Sequence, residues 1–185
     1  RAIRARTPGV RIRYLGDTAR LPYGTKSPHT VVRYALTCLS HLEASGPLSG
    51  LVVACNTASA HAVPAIRSYV GDRFPVWGVL EPGATMAAKQ SVSGRIGVLA
   101  TPGTVASGGY ESATRRSSPN AVVVSRSAPL LVPLAEEGYT AGPVVEAVLS
   151  EYLPPLLSEN IDTLVLGCTH YPLLAPAIDA WFRER

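Results

Sequence analysis

Short, uninterrupted apolar runs alternate with helix-like stretches along this 185-residue chain, and no other feature constrains its fold as tightly. Gly50–Ala54, Pro75–Leu80, Arg95–Leu99, residues 121–125 and Asp162–Leu166 read as strands, with an alternating segment at Val10–Leu15 before them. Helical patterns cover residues 28–44, 61–69, 84–89, 105–116, 142–157 and 173–184, and a proline-punctuated stretch covers 128–134. Residues 1–6 read as the tail of a helix. Ser27-Pro28 places an N-cap before a proline at the first helical position, and Gly46-Pro47 ends that helix. A strand that is apolar at every position must be buried on both faces. Repeated βα units satisfy this with a parallel sheet covered by helices on either side. The expected class is α/β, with doubly wound parallel sheets.

Ligands in such folds bind beyond the carboxyl ends of the strands. Two strands deliver a thiol there. Leu164-Val165-Leu166-Gly167 runs into Cys168-Thr169-His170-Tyr171-Pro172, and Leu51-Val52-Val53-Ala54 runs into Cys55-Asn56-Thr57-Ala58. The two segments echo each other, and the small flexible stretch Ser91-Val92-Ser93-Gly94 lies between them. This points to one site assembled from two halves. Backbone N–H groups and the positive end of a helix dipole at such a turn favour the thiolate. Ala54 and Gly167 let a ligand approach, Asn56, Thr57 and Thr169 supply hydrogen bonds, and His170 is placed to exchange a proton with Cys168.

The rest of the composition narrows the classes. Apolar content of 46% and charged content of 16% describe a globular chain, and no apolar run approaches the roughly 18 residues of a membrane span. No signal peptide is expected at the start. Residues 1–33 hold eight Lys/Arg and only Asp17, whereas the remainder holds nine against twelve. The solvated face of a first helix accounts for that basic end, and a nucleic-acid partner is not expected. Three cysteines without a C-x-x-C spacing argue against a metal cluster or a disulfide framework and for a reducing cytosol. Cys38 sits in a helical pattern as a packing residue. No G-x-G-x-x-G or Walker-type loop is present. Two chemistries stay open on these grounds: acyl transfer through a thioester, and proton abstraction from one face of a carbon with delivery to the other.

Three segments resemble the hallmark motifs of bacterial glutamate racemases. They are Gly16-Asp17-Thr18-Ala19-Arg20-Leu21-Pro22-Tyr23-Gly24-Thr25-Lys26-Ser27, Ala54-Cys55-Asn56-Thr57-Ala58-Ser59-Ala60 and Gly167-Cys168-Thr169-His170-Tyr171-Pro172. Weaker matches follow in order at Gly78–Gly83, at Gly97–Thr101 with Thr104, and at Val132–Glu136. The resemblance implies two similar α/β domains with the active site between them: 1–90 plus 173–185 as the first, 91–172 as the second. It implies a cytoplasmic, homodimeric, cofactor-independent enzyme that interconverts L- and D-glutamate, the latter for peptidoglycan. By similarity, Cys55 acts on the proton of D-glutamate and Cys168 on that of L-glutamate, with His170 and Glu136 assisting. Tyr23, Gly24, Asn56, Thr57, Thr169 and His170 bind substrate, and Thr101 and Thr104 hold a carboxylate. No metal is implied.

The family begins with a strand ending in an Asp-Ser-Gly-type turn and continues past the residues that end this chain. The sequence therefore reads as lacking an N-terminal strand and a C-terminal segment, with Cys55 short of its expected acid–base partner. Aspartate racemisation, or a non-catalytic relative that binds a dicarboxylate or a protein, are the alternatives. Asp17 reads as a loop hydrogen-bonder, and Thr101 and Thr104 also suit capping of the helix that follows.

Overall fold

The computed structural model describes residues 2–185, and its strands form two parallel sheets. The elements run α1 (Ala2–Arg6), α2 (Pro28–Ala44), β1 (Leu51–Val53), α3 (Asn56–Val70), β2 (Val76–Gly78), α4 (Leu80–Gln90) and β3 (Arg95–Ala100). They continue with α5 (Pro102–Ala106), α6 (Gly109–Ser117), β4 (Val122–Ser127), α7 (Leu131–Glu136), α8 (Pro143–Tyr152), α9 (Pro154–Ser158), β5 (Thr163–Gly167) and α10 (Ala175–Arg183). β1 pairs with β2. β3 lies between β4 and β5.

β3 shows why an apolar run predicts burial on both faces. Its side chains alternate between faces. Ile96, Val98 and Ala100 meet Leu80 and Ala84 of α4 and Tyr110 and Ala113 of α6. Leu99 points the other way, into a larger cluster with Leu131, Leu149, Leu153, Leu156 and Tyr171. The α/β expectation with helices on either side of a parallel sheet holds here. In the smaller sheet, Leu39, Ala62, Val63 and Ile66 from α2 and α3 pack beside Val76. Val52 and Trp77, paired across that ladder, remain 42% and 52% exposed.

Several expected boundaries move for local reasons. Val10–Leu15 forms no ladder among the described residues, and Val10, Ile12 and Tyr14 are exposed. Alternation marks an extended segment, and without a neighbouring edge it is not a strand. Arg13 instead reaches the end of α2, donating to the carbonyls of Gly46 (2.8 Å), Pro47 (3.2 Å) and Leu42 (3.3 Å). The single helix expected over 105–116 divides into α5 and α6 at Gly108, whose φ of +60° suits glycine. The helix expected over 142–157 breaks at Leu153 because Pro154 and Pro155 bring no N–H. α3 starts at Asn56 rather than 61, directly after the extended Cys55, and tolerates Pro64.

The stretch between the two sheets is clasped rather than loose. The Asp162 carboxylate accepts from the Ser91 hydroxyl (2.6 Å) and from the N–H groups of Val92 (2.8 Å) and Ser93 (2.6 Å). At the far end of the chain, Ile178 and Trp181 of α10 join the larger cluster, and the Trp181 indole donates to Ser150 on α8 (2.9 Å). Among the described residues, no helix is long and apolar enough to cross a membrane.

Candidate active site

Both thiols stand where a strand gives way to a helical turn. Cys55 is the N-cap of α3, half-buried, with an extended backbone. Cys168 follows β5 directly and is 8% exposed. Burial pushes the Cys55 thiol up, while the backbone N–H groups of Ala58 and Thr57 and the Thr57 hydroxyl pull it down. Cys168 behaves likewise. Burial raises it, the N–H of His170 opposes, and negative charge at Cys55 raises it again. The net direction at each sulfur is upward, so the thiolate preference expected from helix dipoles is overturned: desolvation outweighs the amides. Geometry ties the two strand ends together: Thr57, two residues after Cys55, lies 2.9 Å from Thr101, and Ala100 pairs with Gly167, the residue before Cys168.

Behind Cys168 runs a short polar chain. The His170 Nδ1 lies 3.6 Å from the Cys168 sulfur, and its Nε2 is hydrogen-bonded to the Glu136 carboxylate at the end of α7. Thr169 is exposed and makes no side-chain hydrogen bond among the described residues. Tyr171 turns inward from the same loop, and its hydroxyl donates to the Ala128 carbonyl (2.7 Å). That anchor fixes the turn on which Cys168 and His170 sit.

At the end of the neighbouring strand β3, three buried hydroxyls meet. Thr57 from α3 lies 2.9 Å from Thr101 and 3.1 Å from Thr104, and Thr101 and Thr104 are 3.1 Å apart. Thr101 is also the N-cap of α5, accepting from the Thr104 N–H (3.3 Å), so capping and clustering coexist. Gly24 is buried against them: a Cβ there would stand 2.4 Å from the Thr101 Cβ. The Gly24 carbonyl accepts from the Gly103 N–H (2.8 Å), and the Gly103 carbonyl lies 2.9 Å from Nε2 of His61. Tyr23 does not point its hydroxyl to this cluster but hydrogen-bonds the Asp17 carboxylate. Asp17 also pairs with Arg20 at 2.8 Å. Burial first, and then the Asp17 bond, hold the Tyr23 phenol well above its ordinary range.

The expected residues thus fall into groups rather than one ring: Thr57, Thr101, Thr104 and Gly24; Cys168, His170 and Glu136; Cys55 beside Asn56; and Tyr23 with Asp17. Sequence reasoning missed the residues that hold these groups. His61 lies one turn beyond Thr57 on the same face of α3, a spacing that could have flagged it. Ser59 donates to the Val53 carbonyl (2.7 Å) and accepts from the Val79 N–H (3.1 Å), joining the ends of β1 and β2. Tyr110, read only as part of a helix, donates to Asn56 (2.7 Å). A surface cleft of about 490 Å³ lined by Arg67, Trp77, Met86 and Lys89 contains neither thiol and lies apart from this chemistry. Among the described residues, no three His, Cys, Asp or Glu side chains are grouped to hold a metal.

Comparison with known proteins gives a consistent result. A family model described as Asp/Glu/Hydantoin racemase matches residues 1–183. A curated glutamate racemase of Geobacter metallireducens is 52% identical over 165 residues, covering 89% of this chain and 60% of its own length. One from Aquifex aeolicus is 47% identical, with 94% and 66% covered. The chain therefore spans about two thirds or less of these relatives. Among solved structures, a Francisella tularensis glutamate racemase in complex with D-glutamate superposes with a TM-score of 0.89 at 34% identity, over 98% of this chain and 67% of that one. The Aquifex pyrophilus glutamate racemase gives 0.82 at 46% identity, over 97% and 69%.

Proposed function

Because this chain belongs to the Asp/Glu/Hydantoin racemase family, we propose that it carries the active-site machinery of a glutamate racemase. The reaction is interconversion of L- and D-glutamate without a cofactor, supplying D-glutamate for peptidoglycan in the cytoplasm, and the assembly is a homodimer. The substrate is bound between the half drawn from residues 1–90 plus 173–185 and the half drawn from 91–172.

The observation that carries this reading is the pair of thiols at the carboxyl ends of β1 and β5, ends that are tied together where Thr57 meets Thr101 and Ala100 pairs with Gly167. The Cα proton of an amino acid is weakly acidic, so the base that removes it must be strong. Desolvation that raises a thiol strengthens its thiolate as a base once formed. In the proposed mechanism a thiolate takes the Cα proton from one face and the opposing thiol returns a proton to the other. The electron pair rests meanwhile on the substrate carboxylate, stabilised by aimed donors in a water-poor site. Cys55 serves the D-enantiomer and Cys168 the L-enantiomer. His170, steadied by Glu136, takes a proton from the Cys168 thiol and returns it to the thiolate. Thr101, Thr104 and Thr57 offer hydroxyls to a carboxylate, and Tyr23, Gly24, Asn56 and Thr169 complete the substrate contacts.

Exchange of the α-proton in heavy water tests this. The chain should wash deuterium into both enantiomers of glutamate and turn a pure enantiomer into a racemate. Absence of both exchange and racemisation would sink the proposal.

A further inference from the structure

Tyr110 links the two halves at a point the proposed mechanism does not use. It comes from α6, is 3% exposed, and donates its hydroxyl to Oδ1 of Asn56 at 2.7 Å. Asn56 is the first residue of α3, next to Cys55, and is 8% exposed. The ring passes beside the backbone that leads into Cys168: a Cβ at Gly167 would lie 3.1 Å from its Cε2. A Cβ at Gly83 would lie 3.4 Å from its hydroxyl. Of the two, Gly167 is the one that leaves room for the phenol; a side chain at Gly83 would make ordinary contact.

The bond fixes which way the Asn56 amide faces. A buried O–H must find an acceptor, and Asn56 Oδ1 is the acceptor that Tyr110 has among the described residues. Rotating the amide by half a turn would present N–H₂ to the phenol, leave the O–H unsatisfied, and cost about 1–3 kcal/mol. Burial, and then charge on Cys168, push the phenol up to about 12, so it stays a donor across the physiological range. With Oδ1 taken, only the Nδ2 donors of Asn56 are left, and they have no partner among the described residues.

We propose that Tyr110 is a positioning residue that locks the Asn56 amide with its N–H₂ group turned to the substrate, so that this position accepts a carboxylate oxygen and rejects an ammonium group. This deepens the racemase reading and depends on it for the ligand. A second donor set is thereby added beside Cys55. The phenol spans the two halves, so the amide is aligned only when they are docked.

The test uses the 185-residue chain with Tyr110→Phe and, separately, with asparagine side chains labelled with nitrogen-15. Tyr110→Phe keeps the ring and frees the amide. KM for glutamate should rise about tenfold, the loss of one aligned carboxylate hydrogen bond, with kcat changed by less, alongside whatever fall in Tm the lost buried bond brings. A merely structural role would lower Tm and leave KM alone, and that outcome overturns the proposal. In the unsubstituted chain, glutamate should shift the Asn56 Nδ2 signal, a readout that survives if Tyr110→Phe fails to fold. Glutamate bound with that signal stationary overturns the positioning role alone. No glutamate binding and no racemisation overturns the racemase reading and this inference together.

Discussion

At the residue scale, the thiols were the most legible feature and their charge state the least. A cysteine after an apolar run is visible in sequence, as is the small residue before it. Whether amide dipoles or desolvation wins depends on how deeply the fold buries each sulfur, which no local pattern encodes. With both thiols raised, kcat/KM should climb with pH through the neutral range as the thiolate fraction grows, measurable by polarimetry from pH 6 to 9.5. Stability should move oppositely. A raised thiol contributes stability that is fully present below its unfolded value near 8.5 and is lost as pH rises through the folded value. Denaturant midpoints falling above about pH 9 would register this. Cys55→Ser and Cys168→Ser should each reduce racemisation at least about a hundredfold, the usual weight of a positioned acid or base. A variant that retains near-native turnover removes that thiol from the mechanism.

At the element scale, periodicity located every strand that found a partner and misjudged the one that did not. Val10–Leu15 has the alternation of a strand but no edge to pair with among the described residues. The helix breaks at Gly108 and Leu153 were written in Gly-Gly and Pro-Pro, which continuous apolar patterning overran. The packing of α10 on α8 through Trp181 and Ser150 was likewise not legible in any local pattern. The Asp162 clasp was invisible because its partners lie some seventy residues away. Its bonds to the Ser91 hydroxyl and then the Ser93 N–H hold the carboxyl well below the usual range. The clasp therefore stabilises the fold above the unfolded value near 3.9 and is lost as acid protonates Asp162. Asp162→Ala should lower Tm by a few degrees at pH 7, and the difference from wild type should shrink as pH falls toward 2. Equal deficits at both pH values would contradict this account.

At the scale of the whole molecule, the family and the α/β class were legible because three motifs stand in order along the chain. The way the motifs interlock was not, since Gly24, Thr57 and the turn of Thr101 and Gly103 come from separate segments. Gly24 has no space for a side chain beside Thr101. Gly24→Ala should cost about 1–3 kcal/mol in urea unfolding, the usual range for forced overpacking, with racemisation falling in step. An unchanged unfolding midpoint would mean that the loop yields freely.

Gly103 has one further consequence. Both polar groups of its peptide are engaged, the N–H with Gly24 and the carbonyl with His61. A turn gripped on both sides acts as a clamp: the start of α5 cannot leave the Gly24 loop and α3 without breaking both bonds. The Gly103 amide proton is then a built-in reporter. It should exchange with solvent only when the Gly24 loop comes away from the start of α5, so its exchange rate should be slow and should slow further on glutamate binding.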